Sequence, residues 1–498
     1  MPNLGSELLS AIEARSSETV INESGRPISG AELASRIAQL SDVFTHSKVQ
    51  RLGLFMGNSA DWIAADIACL ISGVVVIPVP HFFSDEQKNH ILKDAEIQWL
   101  FSSANSSDPW LSGLPNISRT KVLKASEIHQ LKTSSVFASV NMPRGTSKIT
   151  YTSGSTGAPK GVCLSADLLH DTTTSLHGVL AHFPIERHLS VMPYSTLLEN
   201  LAGIYVALLS AATIFTQSNE RLGLLPSLNI DGQRFAQTFN ELQPNSLIVS
   251  PQLLELICEL KSLSLLNTTD LKFVAVGGAS CAVSLLESAS SMGLPVYQGY
   301  GLSECGSVVS LSSMQSNVLG KVGKVLPHLR VDIGASGELI VKGNNLGRYL
   351  KSTGGFPRQI ATGDIGNLDE QGVLSIAGRS KNLMVLASGR NVSPEWVESE
   401  LLQQPQIKQC VVYGDGLDSL QALIVASHQE IDWAKVDQAV ERANSSLPKF
   451  AQVSQWEFVD TFTADKKQVT STGKLIRSQI LVDYVYSKKI RDNASSAL

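Results

Sequence analysis

Up to about Gly378 the chain alternates short apolar runs with segments whose apolar residues recur at helical spacing. Arg51–Phe55, Val74–Val79, Ser246–Ser250 and Phe273–Val276 read as strands, because each is short and dominated by aliphatic or β-branched residues. Strands interleaved with helices predict an α/β fold of layered sheets and helices. The longest apolar stretch, Trp62–Val79, is interrupted by Asp66 and shaped near its end by Gly73 and Pro78. A membrane-spanning helix needs about 20 apolar residues. The stretch therefore reads as a buried helix ending near Gly73, followed by a buried strand, and no integral membrane segment is expected. The N-terminal MPNLGSELLSAIEARSS reads as a short amphipathic helix without the basic-then-apolar order of a secretion signal.

Ser102–Asn116 and Thr133–Ser147 are rich in Ser, Asn, Thr and Pro and read as loops. The pattern changes after Lys321. Val331–Ile333, Glu338–Lys342 and Val373–Ala377 are short strands, with Gly337 and Glu370-Gln371-Gly372 as turns, so a small β-rich subdomain is expected. Beyond Gly378 a compact α/β unit follows. Ser393 is placed to cap a helix with Pro394 in its first turn and Val397, Leu401 and Leu402 on its apolar side. Cys410–Tyr413 and Leu420–Ala426 read as its core strands.

Composition narrows the function classes. A hydrophobic fraction of 43% and a charged fraction of 17% belong to a globular enzyme rather than a disordered chain. A net charge of −5, with no basic stretch interleaved with aromatics, argues against nucleic acid as a partner. The six cysteines contain no CxxC pair, which disfavours zinc and a disulfide framework and suits a reducing, cytoplasmic setting.

The densest chemical signal is Tyr151-Thr-Ser-Gly-Ser-Thr-Gly-Ala-Pro-Lys-Gly161. Gly154, Gly157 and Gly161 let the backbone approach a ligand closely. The hydroxyls of Ser153, Ser155 and Thr156 can donate to phosphate oxygens, and Lys160 adds a positive charge. Successive N–H groups in such a loop form an anion-binding nest. A phosphate ligand follows, but not through a Walker A loop, because Pro159 stands where that motif needs glycine. By itself the stretch also fits an ordinary surface loop.

The segment resembles the signature of the adenylate-forming (AMP-binding) superfamily, in particular acyl-CoA synthetases and fatty-acid–CoA ligases. Further motifs follow in that superfamily's order, from about Arg51 to Arg477. The resemblance implies a large N-terminal domain, residues 1–379, and a small mobile α/β C-terminal domain, residues 380–498, hinged near Lys381. It implies nucleotide contacts from Thr152, Ser153, Gly154, Ser155, Thr156 and Gly157, with Lys160 catalytic. Tyr300-Gly301-Leu302-Ser303-Glu304 resembles the aromatic-Gly-x-Thr-Glu motif. Tyr300 would stack on adenine, Gly301 and Ser303 would flank the phosphates, and Glu304 would be the catalytic carboxylate holding Mg²⁺, an ion that prefers oxygen ligands. Ser303 replaces the usual threonine but keeps the hydroxyl.

Gly277, Gly278 and Ala279 resemble the segment lining the adenine and acyl sites. Thr362-Gly363-Asp364 and Gly378-Arg379-Ser380-Lys381 resemble the ribose and hinge motifs; a carboxylate such as Asp364 can accept from two vicinal hydroxyls, and Arg379 would add ribose or phosphate contacts. Gly389 and Arg390 would face a CoA arm. Ser471-Thr-Gly-Lys-Leu-Ile-Arg477 resembles the terminal Asn-Gly-Lys-x-x-Arg motif, with Thr472 for asparagine, and makes Lys474 the cation between the substrate carboxylate and the α-phosphate. Read singly, most of these are turns or surface charges; their order gives them roles.

One segment departs from the pattern. In Met192–Glu199, Thr196 stands where acyl-CoA synthetases commonly carry histidine beside the acyl site, while Glu199 is retained as in many fatty-acid ligases. The expected reaction is ATP- and Mg²⁺-dependent activation of a fatty or other hydrophobic carboxylic acid, followed by transfer to CoA. Transfer to a carrier-protein phosphopantetheine or to a non-thiol acceptor is the alternative. A non-catalytic nucleotide-binding scaffold is disfavoured because Lys160, Glu304, Asp364, Arg379 and Lys474 are all present.

Overall fold

The computed structural model describes residues 3–104, 106–114, 116–131, 141–152, 158–224, 230–427, 432–463, 465–469 and 475–487. The apolar stretch around Trp62 becomes the helix Ala60–Ser72 and the strand Val75–Pro78. The Ser59 side chain caps the helix by accepting from the backbone N–H of Trp62, and Gly73 ends it in the left-handed conformation at φ +68°. Every residue from Ala60 to Leu70 is buried. A helix apolar on all sides belongs inside a protein or a membrane, and this one packs among the core residues of the large domain. No helix among the described residues is long and apolar enough to cross a membrane.

Two large sheets flank this core. One runs, in spatial order, from Lys324–Val325 through Ser310–Leu311, Val296–Tyr300, Phe273–Val276, Ser246–Val249, Arg187–Ser190, Thr213–Thr216 and Thr19–Glu23 to Arg26–Ser29. Its central strands are parallel. Parallel strands are buried on both faces, which explains the apolar runs of Ser246–Val249 and Phe273–Val276. The other sheet runs from Arg348–Tyr349 through Lys160–Ser165, Thr146–Thr152, Val75–Pro78, Arg51–Phe55, Trp99–Ser103 and Ser126–Leu131 to Asn116–Lys121. One apolar cluster draws on strands of both sheets, on the N-terminal helix Leu4–Glu13 and on the small β-subdomain, through residues such as Leu8, Leu54, Val162, Ile214 and Leu339.

The β-subdomain is an antiparallel sheet ordered Arg330–Ile333, Glu338–Lys342, Gln359–Leu368, Leu374–Arg379. Beyond it, Ile407–Tyr413, Leu420–Ala426 and Val453–Phe458 form a separate sheet covered by the helices Pro394–Leu401 and Trp433–Ser445, with its own core.

Several expectations are corrected. The polar stretch Ser102–Asn116 is not one loop: it holds the end of the strand Trp99–Ser103 and the short helix Pro109–Ser112, and it leads into the hairpin Asn116–Lys121/Ser126–Leu131. The hairpin's outer strand Asn116–Lys121 is the sheet edge, and Ser126–Leu131 pairs with that strand and with Trp99–Ser103. Residues 146–147, expected as loop, begin the strand Thr146–Thr152; residues 132–140 lie outside the described residues. Leu402 is exposed, because the helix ends at Leu401. Ser393 occupies the N-cap position, but its hydroxyl donates to Glu395 Oε2 at 2.8 Å instead of capping a backbone N–H.

On the strand Thr146–Thr152, Lys148 is fully buried. Its ammonium lies 2.8 Å from Asp66 Oδ1 and donates to Tyr205 Oη at 3.1 Å and to Asn200 Oδ1. Asp66 Oδ2 accepts from Asn200 Nδ2 at 2.8 Å and from Tyr205 Oη. Burial lowers the Lys148 pKa, and Asp66 opposes that shift. Removing one member of such a pair strands a charge in the interior, at a cost of about 3–5 kcal/mol. Lys148→Met is therefore expected to lower the large domain's urea midpoint sharply, and the double variant Lys148→Met/Asp66→Leu to recover much of the loss. A single variant as stable as wild type would contradict this.

Candidate active site

The phosphate-loop motif joins two antiparallel strands, Thr146–Thr152 and Lys160–Ser165, paired in register as Thr152 with Lys160 and Tyr151 with Gly161. Residues Ser153, Gly154, Ser155, Thr156 and Gly157 lie outside the described residues, as does Lys474. The ends of the loop are fixed: Tyr151 Oη donates to Asp94 Oδ2 at 2.8 Å, and the outer strand Arg348–Tyr349 pairs with Lys160–Ser165.

A cavity of about 1540 Å³ opens at this hairpin, between the two large sheets, the β-subdomain and the C-terminal unit. Of the residues singled out in the sequence, Thr152, Lys160, Thr196, Gly277, Gly278, Tyr300, Gly301, Ser303, Glu304, Arg379 and Lys381 line it. Ala279, Asp364, Gly389 and Arg390 do not. Ala279 is exposed just past the lining. Gly389, at φ +74°, forms the turn of the hairpin Met384–Val385/Asn391–Val392, and the Arg390 guanidinium lies 5.3 Å from the Phe450 ring centroid.

Glu304 sits in a single 3₁₀ turn, Ser303–Cys305, at the end of the strand Val296–Tyr300. That turn is possible because Gly301 has no side chain: a Cβ there would lie 1.8 Å from the Ser307 carbonyl oxygen. The Glu304 backbone carbonyl accepts from Gly347 N–H at 2.7 Å. Tyr349 donates its hydroxyl to Glu304 Oε1, and its ring lies 5.9 Å from Lys160 Nζ. A cation, an aromatic ring and a carboxylate thus meet beside the start of the strand Lys160–Ser165. Tyr349 had no signal in the sequence; it is recognisable only once the edge strand is seen to pair beside Lys160. Among the described residues no group of three or more His, Cys, Asp or Glu side chains gathers as a metal cage. Glu304 instead offers one carboxylate, which fits an ion such as Mg²⁺ that takes most of its ligands from phosphate and water.

The Thr362-Gly363-Asp364 motif is built across two layers. Asp364 lies opposite Arg379 in the β-subdomain and is nearly fully buried. Arg379 Nε donates to its Oδ1 at 2.7 Å, and Tyr300 Oη to its Oδ2 at 2.6 Å. Tyr300 and Arg379 line the cavity themselves and hold Asp364 between them. Burial raises the Asp364 carboxyl above the ordinary carboxylate range, while the Tyr300 hydroxyl and the Arg379 charge pull it back. Gly363, at φ +73°, makes the turn, and its N–H donates to Glu338 Oε1 at 2.8 Å.

Away from this polar end the lining becomes apolar, with Leu176, Leu180, Ile185, Val206, Ile248 and Phe273. Thr196 lines the cavity, its hydroxyl donating to the Pro193 carbonyl at 2.6 Å. Glu199 is buried and bonds His188, a residue the sequence reading did not single out. On the C-terminal side, Leu475 and Arg477 line the cavity. Arg477 is anchored by Glu398 Oε2 at 2.7 Å and the Val412 carbonyl at 2.6 Å.

Residues 10–349 match the AMP-binding enzyme family, and residues 381–492 match the AMP-binding enzyme C-terminal domain. The long-chain-fatty-acid–CoA ligase FadD15 of Mycobacterium bovis is 25% identical, covering 88% of this chain and 88% of that protein. The 2-succinylbenzoate–CoA ligase of Bacillus pumilus is 25% identical, covering 86% of this chain and 87% of its own. Among solved structures, the anthranilate CoA ligase AuaEII in complex with anthranoyl-AMP superposes with a TM-score of 0.78 at 16% identity, covering 98% of both chains. The fold is that of the adenylate-forming enzymes, with a large N-terminal and a small C-terminal domain. The chain belongs to the AMP-binding enzyme family.

Proposed function

We propose that this enzyme joins a carboxylic acid to ATP, releasing pyrophosphate, and passes the acyl group of the resulting adenylate to the thiol of CoA. The observation that carries this reading is the division of one cavity into a polar end, with Lys160, Glu304, Tyr300 and Arg379, and an apolar end. A triphosphate and an acyl group suit these two ends. CoA-ligase relatives support CoA as acceptor. The cavity offers no covalent nucleophile in this scheme; the work is positioning and charge neutralisation. Lys160 and the loop 153–157 would hold the phosphates, and Asp364 would accept the ribose hydroxyls. Mg²⁺ held by Glu304 would supply further positive charge to the leaving pyrophosphate.

Lys474 would stand between the acid and the α-phosphate. The small domain, 380–498, would then turn about Lys381, withdraw Lys474 and bring Gly389 and Arg390 to the CoA arm. A fatty or other hydrophobic acid in the cytoplasm is the substrate this reading favours.

Two tests follow. Lys474→Ala is expected to lower ATP–pyrophosphate exchange by at least about 100-fold, as loss of a charge-stabilising donor does, while thiolation of supplied acyl-adenylate continues. Full exchange in this variant would remove the assignment. The second test concerns Asp364, which must be ionised to accept the ribose hydroxyls. Its raised pKa means that AMP affinity falls with decreasing pH at a higher pH than an ordinary aspartate would give. Tyr300→Phe removes a hydrogen bond that lowers this pKa. The acid limb of AMP binding, followed by calorimetry, is expected to move to higher pH still; an unmoved or lowered limb would contradict the role.

A further inference from the structure

The chain around the edge strand Arg348–Tyr349 grips Glu304 at two points. Gly347 N–H donates to the Glu304 carbonyl at 2.7 Å. A Cβ at Gly347 would lie 3.0 Å from Glu304 Cα and 2.9 Å from Val162 Cγ1. Contacts that close leave little room for any residue but glycine. They press the chain at once against the 3₁₀ turn Ser303–Cys305 and the strand Lys160–Ser165, with which Arg348–Tyr349 pairs. Tyr349 stands two residues on, and in a strand residues i and i+2 share a face. Its hydroxyl donates to Glu304 Oε1. One segment therefore holds Glu304 both by its backbone and by its carboxylate. The Tyr349 ring also lies within cation–π range of Lys160, its centroid 5.9 Å from Nζ. All three side chains line the cavity. Tyr349 is 42% exposed, so core packing does not account for an aromatic residue here.

We propose that Tyr349 is a positioning residue for the metal-bound triphosphate: its hydroxyl sets the rotation of the Glu304 carboxylate, and its ring keeps the Lys160 ammonium beside that carboxylate, before a nucleotide arrives. A free glutamate carboxylate turns broadly about its last bond. It loses that freedom when it binds an ion, and a hydrogen bond already in place removes part of the cost in advance. Partners that bond a ligating carboxylate tune metal affinity in this way. The two contacts act on different charges. The hydroxyl serves the carboxylate and hence Mg²⁺, whereas the ring serves the ammonium and hence the phosphates directly. This inference rests on the reading of Glu304 as the carboxylate for Mg²⁺ in an adenylating enzyme.

The test measures ATP affinity by calorimetry with the acid withheld, once with excess Mg²⁺ and once with EDTA, and AMP affinity alongside. The wild type is expected to bind ATP more tightly with Mg²⁺. Tyr349→Phe keeps the ring and loses the hydroxyl. It should lose most of the Mg²⁺ advantage, the ratio of the two dissociation constants falling by about tenfold, with ATP affinity in EDTA unchanged. Tyr349→Leu loses both contacts. It should show the same reduced advantage and in addition bind ATP in EDTA about threefold more weakly. AMP affinity should stay unchanged in both variants, which reports an intact site. An unchanged ratio in Tyr349→Phe overturns the proposal. So does an equal loss of AMP and of ATP in both media, the mark of a merely structural residue. A wild type whose ATP affinity ignores Mg²⁺ overturns the assignment of Glu304 and the proposal with it. A wild type that binds neither ATP nor AMP would instead overturn the adenylation reading itself.

Discussion

The buried contact between Lys148 and Asp66 is the constraint on which the site's geometry depends. Asp66 comes from the enclosed helix, Lys148 from the strand Thr146–Thr152, and Asn200 and Tyr205 from the π-helix Glu199–Tyr205. A charge pair in the interior tolerates little displacement, because its attraction offsets a large desolvation penalty only in good geometry. It therefore fixes the strand Thr146–Thr152 relative to that π-helix. Two buried acids, Asp61 and Asp66, mark the enclosed helix Ala60–Ser72 as an interior element.

A second link joins the parallel sheet to the β-subdomain. Tyr300 ends a central strand of one, Asp364 and Arg379 pair across two strands of the other, and the three side chains meet at one carboxylate. In a low-dielectric cleft such pairing holds charged groups in place before a ligand arrives, which is the condition for electrostatic stabilisation of developing charge. Tyr349 makes a corresponding link at the other end, between Glu304 and Lys160, using an edge strand of two residues. The polar half of the cavity is thus assembled from side chains far apart in sequence, each held by a neighbour.

Much of this was legible in the sequence where local patterns decide the outcome. Arg51–Phe55, Phe273–Val276, Glu338–Lys342 and Leu420–Ala426 form strands over the same residues that their apolar content predicts. The ordered motifs named most residues that line the polar end of the cavity. What stayed hidden depends on distant contacts. The strand character of the hairpin Asn116–Lys121/Ser126–Leu131 comes from pairing of the two strands with each other and of the second with Trp99–Ser103, which its polar sequence does not announce. Lys148, His188 and Tyr349 look like ordinary charged, polar and aromatic residues until the sheets bring Asp66, Glu199 and Glu304 beside them. The strand Gln359–Leu368 is masked by the Thr-Gly-Asp turn chemistry that the site uses.

The central claim is that the cavity couples ATP to an acid through an adenylate and then to CoA. Its most direct measurement supplies ATP and Mg²⁺ with a broad panel of fatty and aryl acids, following pyrophosphate release and resolving products by mass, with and without CoA. The account predicts acyl-AMP when CoA is withheld and acyl-CoA plus AMP when it is present. Pyrophosphate release without an acyl-AMP, or no release with any acid, would contradict it.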